Sequence, residues 1–138
     1  MGFILKVDGG IDLGVETVKT VDFSVDTPKD SNAKTTDIGV TLKVTGKILT
    51  MLDDGTEGTV DLALWSMIPA EKADCYRNVV VQVTAAGQVV REYTLPNAFV
   101  VDYKELYDDT EGVGTFELIV KQKKDKIKTT AITGGYGA

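Results

Sequence analysis

The 138-residue chain contains no histidine. The commonest general base and metal ligand of neutral-pH chemistry is therefore missing, and histidine-dependent nucleophilic triads go with it. Its one cysteine, Cys75, excludes an intrachain disulfide and suits a reducing compartment. Without a partner thiol or imidazole it has nothing to activate it. Ser24, Ser31 and Ser66 stand in no Gly-x-Ser-x-Gly elbow, and no glycine-rich phosphate loop precedes a helix. No apolar run reaches the length of a bilayer span, and Met1–Asp8 meets charge at Lys6 early, so neither anchor nor signal peptide is expected. Basic charge is scarce: 15 Lys and Arg stand against 21 Asp and Glu, a net charge of -6 that would repel a phosphate backbone. The only basic cluster is Lys121, Lys123, Lys124, Lys126 and Lys128.

What is present is ordinary for a globular protein, with 43% hydrophobic and 26% charged residues. A chain of this length buries roughly 68% of its unfolded surface, so a single domain over 1–138 is expected. Phe3, Leu5 and Val7 alternate into a first strand that ends at Asp8-Gly9-Gly10. Val21, Phe23 and Val25 alternate with Asp22, Ser24 and Asp26, and Ile38, Val40, Leu42 and Val44 alternate with Thr41, Lys43, Thr45 and Lys47, so both segments read as half-buried strands. Between them Thr27–Thr36 is polar and too long for a tight hairpin. It is either a plain surface loop or one that docks on something outside its own domain.

Thr59 is expected to cap a short central helix on which Leu62, Trp65 and Met67 or Ile68 share a face, with Pro69 limiting it. Val79, Val81 and Val83 then form a strand, turned at Ala86-Gly87 into Val89–Leu95. After a break at Pro96-Asn97 come Phe99–Tyr107, a hairpin over Asp108–Gly114, and a last strand Thr115–Lys123. Residues 129–138 end in a glycine-rich tail expected to fray. The sum is a mainly β protein: an antiparallel β-barrel or sandwich with one short central α-helix. Asp53-Asp54 and Asp108-Asp109 could serve acid/base work or calcium, but both pairs fall where turns are required and lack the alternating ligand spacing of a calcium loop. Ordinary turn chemistry explains them.

The stretch YTLPNAFVVDYKELYDDTEGVGTFELIVKQKK, from Tyr93 to Lys124, sets Phe99, Val101, Tyr103 and Tyr107 at odd positions with charged residues between and beyond them. Together with the element order and the Asn-Ala-x-Val-x-x-Tyr-x-Glu run from Asn97, it resembles the tail tube and type VI secretion tube (hemolysin-coregulated protein) family of contractile injection systems and contractile phage tails. The resemblance covers Leu5 to Lys128. It implies a structural subunit with no catalytic, cofactor or metal residues, whose six-membered rings stack into a hollow tube within a sheath. It further implies assembly in a bacterial cytoplasm, sheath and baseplate partners, and cargo or DNA passing through a lumen that an acidic subunit would keep from sticking. Under that reading Asn97, Phe99, Val101, Tyr103 and Tyr107 form a subunit-interface strand, since tyrosine combines a large apolar ring with a polar hydroxyl. Thr27, Pro28, Lys29, Asp30, Ser31, Asn32, Ala33 and Lys34 form an inter-ring contact loop. Alternatives are a tube-initiating or baseplate hub subunit, a monomeric β-sandwich module using Trp65, Tyr103 and Tyr107 as a ligand platform, and an enzyme built on the aspartate pairs.

Overall fold

A computed structural model describes residues 1–26, 39–48, 56–69, 71–109, 113–122 and 131–134. Eight strands, β1 (Gly2–Val7), β2 (Ile11–Leu13), β3 (Val18–Asp26), β4 (Gly39–Ile48), β5 (Arg77–Ala85), β6 (Gln88–Leu106), β7 (Gly114–Gln122) and β8 (Ala131–Gly134), surround one core. One helix, α1 (Thr56–Ser66), and a single 3-10 turn, Ala73–Cys75, complete the described elements. Every ladder is antiparallel. The sheet runs β2-β1-β5-β6-β7-β4-β3, with β8 also on β6.

Period-two patterning produces this arrangement. In β4 Val40, Leu42 and Val44 are buried while Lys43 and Lys47 are exposed, and in β7 Phe116, Leu118 and Val120 are buried opposite them. Each such side chain taken out of water contributes about 1.5–3 kcal/mol toward the core. The two-residue turn between β5 and β6 is Ala86-Gly87, closed by the pair Ala85↔Gln88, and both turn residues have positive φ, 53° and 75°. That conformation matches the twist of the strands it joins.

The ladder is open rather than closed into a barrel: among the described residues the terminal strands β2 and β3 do not pair. Within the curled sheet, side chains of strands that are not neighbours meet against the core. Phe23 of β3 stacks on Tyr93 of β6 with ring centroids 4.3 Å apart. Three other expectations change. The helix begins three residues before Thr59, which lies inside it, buried; Leu62 and Trp65 face the core, Ile68 packs beside them, and Met67 is exposed. Pro96-Asn97 does not break the chain into two strands. β6 is continuous through it, with Asn97 at φ 57° absorbing a change of register. Finally, Ala131–Gly134, expected in a frayed tail, form a strand. Ile38, Asp53-Asp54, Lys123 and the rest of 129–138 lie outside the described residues.

α1 sits close against β2 because Gly58 leaves room for it: a Cβ there would come within 2.5 Å of Leu13 Cδ2. Trp65 anchors the other end, its indole N–H donating to the Cys75 carbonyl at 2.8 Å. Arg77 lies over the Trp65 ring at 5.6 Å, pairs with Asp74 at 3.0 Å and donates to the Asp8 carbonyl at 3.3 Å. One guanidinium thus ties the helix, the 3-10 turn and the β1–β2 turn together.

Candidate subunit interface

β6 carries the residues assigned to a subunit interface, and its neighbours define what is free. Tyr93 has Val81 of β5 on one side and Ile132 of β8 on the other; Ala98 has Arg77 of β5 on one side and Gln122 of β7 on the other. β7 and β8 therefore share one edge of β6, and β5 occupies only the N-terminal part of the opposite edge. Beyond Ala98, the β5-side edge of Phe99–Leu106 has no strand partner among the described residues. An unpaired row of N–H and C=O groups is a template for another strand.

The bend at Pro96-Asn97 is held by Gln122, whose side-chain amide donates to the Pro96 carbonyl at 2.6 Å. Gln122 is itself buried. It satisfies a carbonyl that the register change removes from the regular ladder.

The five proposed interface residues do not share one face. The ladder to β7 shifts between Val100 and Asp102, a β-bulge at Val101. Before it Ala98 and Val100 turn to the core; after it Tyr103 does. Phe99 and Val101 therefore lie on the outer face, with Phe99 edge-on to Tyr76 at 5.9 Å. Tyr103 packs on Phe116 at 6.4 Å. Asn97 is the hinge, and Tyr107 lies past the strand end, largely exposed, across Gly114, where a Cβ would meet its ring at 2.5 Å.

Tyr103 and Tyr107 converge on one carboxylate. The Tyr103 hydroxyl donates to Glu105 Oε2 at 2.6 Å and the Tyr107 hydroxyl to Oε1 at 2.9 Å. Burial, then the bond to Glu105, raises the Tyr103 pKa well above the ordinary phenol value, while for Tyr107 the bond to Glu105 is the larger cause of a rise. On the outer face Glu117 of β7 lies between Lys43 of β4 at 3.6 Å and Lys104 of β6 at 3.9 Å. Lys104, Glu105, Leu106, Thr115 and Glu117 line an open depression at this end. Among the described residues no group of three or more His, Cys, Asp or Glu is placed to hold a metal. Burial also raises the pKa of Cys75, the reverse of what a reactive thiol needs.

The ligand platform is not assembled. Trp65, on the core-facing side of α1, is 1% exposed and cannot join Tyr103 and Tyr107 on a surface. The residues assigned to the inter-ring loop, Thr27 to Lys34, lie outside the described residues. The sequence reading missed β8 and the free edge of β6. The β-branched pair Ile132-Thr133 was the available signal for β8.

The described elements form an open antiparallel sheet curled round one core, with one helix packed against it and a long bent strand, β6, running through its middle. Three solved structures share this fold over nearly the whole chain. Hcp1 from Flavobacterium johnsoniae is 18% identical with TM-score 0.60, covering 98% of this chain and 97% of its own. A chain of the extended sheath-tube complex of PVC, an extracellular contractile injection system, is 12% identical with TM-score 0.55, covering 97% and 89%. A chain of the native gene transfer agent virion is 10% identical with TM-score 0.52, covering 98% and 96%. No family profile and no curated protein matches the sequence.

Proposed function

We propose that the chain is a structural subunit of the inner tube of a contractile phage tail, phage-like particle or contractile injection system. In this role six copies form a ring, rings stack into a hollow tube, and sheath and baseplate proteins of the same machine surround it. The tube is assembled in the bacterial cytoplasm, and cargo or DNA passes its lumen without specific binding. The observation that carries this reading is the end-to-end agreement of fold with Hcp1 and with chains of a sheath-tube complex and a gene transfer agent virion.

The surface supports it physically. The free edge of Phe99–Leu106 and the exposed apolar side chains Val101, Leu106 and Tyr107 lie together on β6 and its end. A second group, Val60 and Leu64 of α1 with Met67 just past its end, is exposed at helical spacing. An isolated domain has no use for either. Two unlike patches on one subunit suit head-to-tail contacts, which close into rings.

The test is the size and appearance of the purified protein. Hexameric rings or tubes in electron micrographs are expected. A strictly single-subunit species over a wide concentration range overturns the reading, and rings that never stack would make the chain a tube-initiating or hub subunit instead.

A further inference from the structure

Seven of the eight strands bury at least one side chain; β8 buries none, and Ala131, Ile132, Thr133 and Gly134 are all exposed. What holds β8 is its ladder to β6, with Arg91↔Gly134, Glu92↔Thr133, Tyr93↔Ile132 and Thr94↔Ala131 in register. A strand without core contacts opens at a small fraction of the global stability. The slot it fills is nevertheless specific. A Cβ on Gly134 would lie 2.6 Å from the Val90 carbonyl oxygen and 2.8 Å from Arg91 Nε, so the last position accepts glycine and little else.

The tether is longer than this position needs. Gln122 and Ala131 pair with Ala98 and Thr94 on the same edge of β6, partners only four residues apart, whereas nine residue steps separate Gln122 from Ala131 along the chain. At roughly 3.3 Å per residue the home position requires about 13 Å and the chain can reach about 30 Å. Because the slot is identical on every copy, the same hydrogen bonds form whether β8 comes from its own chain or from a neighbour. Exchange then costs little and is decided by how near assembly brings the β6 edges.

We propose that β8 is exchanged on assembly: Ala131–Gly134 of one copy completes the β6 edge of the next at Arg91–Thr94. The inference rests on the tube-subunit reading and adds to it the element that links the copies. In the free subunit the same strand caps its own β6 edge and protects it from premature pairing.

A disulfide placed in the ladder distinguishes the two arrangements. Glu92→Cys with Thr133→Cys puts two thiols on directly opposed residues, and Thr94→Cys with Ala131→Cys is a second pair in the same register. Each protein is assembled under reducing conditions, oxidised, and run on a denaturing gel without reductant, beside the parent as control for the buried Cys75. Covalent multimers holding most of the assembled protein are expected, with internally linked single chains when oxidation is done at a dilution where subunits are free. Assembled material that gives only internally linked single chains at both pairs overturns the exchange. A parent that never assembles in the prior size measurement overturns the tube reading itself, and the exchange falls with it.

Discussion

At the residue scale the environments of single side chains set measurable outcomes. Tyr103 holds its proton more tightly in the folded chain than in the unfolded one, because it is half-buried and donates to Glu105. The stability this contributes is intact below the ordinary phenol pKa of about 10 and is lost as pH rises above it toward the higher folded value. Urea unfolding at pH 8 and pH 11 should therefore show a smaller alkaline loss for Tyr103→Phe than for the parent, with a cost at pH 8 of about 1 kcal/mol from the missing hydrogen bond. An equal alkaline loss in both proteins would contradict the assignment. Gly46 makes a sharper case: a Cβ would overlap the Thr17 carbonyl and lie 2.6 Å from Phe116 Cε2. Gly46→Ala should lower the unfolding free energy by about 1–3 kcal/mol, the usual cost of overpacking a filled site. This scale was the least legible in the sequence. The absence of histidine was plain, but Trp65 looks the same in sequence whether it lines a ligand surface or donates to the Cys75 carbonyl from the core-facing side of a helix. The odd-numbered run from Phe99 to Tyr107 gives no sign that a bulge at Val101 moves Tyr103 to the other face.

Elements were more legible, because alternation over several residues carries the signal while their ends depend on local chemistry. The alternating β3, β4, β5 and β7 were readable from Val, Leu and Phe spacing, and the Ala86-Gly87 turn from its glycine. The start of α1 was misplaced because Thr59 has the chemistry of a cap, yet tertiary packing of Gly58 on Leu13 extends the helix past it. Pro96-Asn97 reads as a break in any sequence; what keeps β6 continuous is Gln122, 26 residues away, and a partner at that separation is invisible to local patterns. This bend is testable. Gln122→Leu keeps the volume but removes the donor, leaving the Pro96 carbonyl unsatisfied, and should cost about 1–3 kcal/mol in chemical denaturation. At the hinge itself Asn97→Gly should be tolerated within a few tenths of a kcal/mol, whereas Asn97→Val, β-branched at positive φ, should cost about 1–2 kcal/mol. If the two Asn97 variants unfold alike, backbone strain is not what selects the residue there.

At the scale of the whole molecule the question is which parts build the subunit and which join subunits. Asp26 and Gly39 are directly paired at the ends of β3 and β4, so two residues could close that hairpin. The chain spends twelve on it, residues 27–38, and those from Thr27 to Thr36 include Lys29, Asp30 and Lys34 but no large apolar side chain. A segment so long exceeds what the hairpin needs, and its charges of both signs suit a polar contact with a separate surface. We propose that it makes the contact between one ring and the next, and that β6 makes the contacts within a ring. Replacing Thr27–Thr36 with Asn-Gly leaves a four-residue connection across the same strand pair. The shortened protein should keep its unfolding midpoint and its ring mass, because neither the core nor β6 is altered, and should fail to form long tubes in electron micrographs. Loss of the ring itself would instead tie the loop to contacts within it. Tubes of parental length would remove the stacking role from the loop and leave the N-terminal strand β1 or the C-terminal strand β8 as the element between rings.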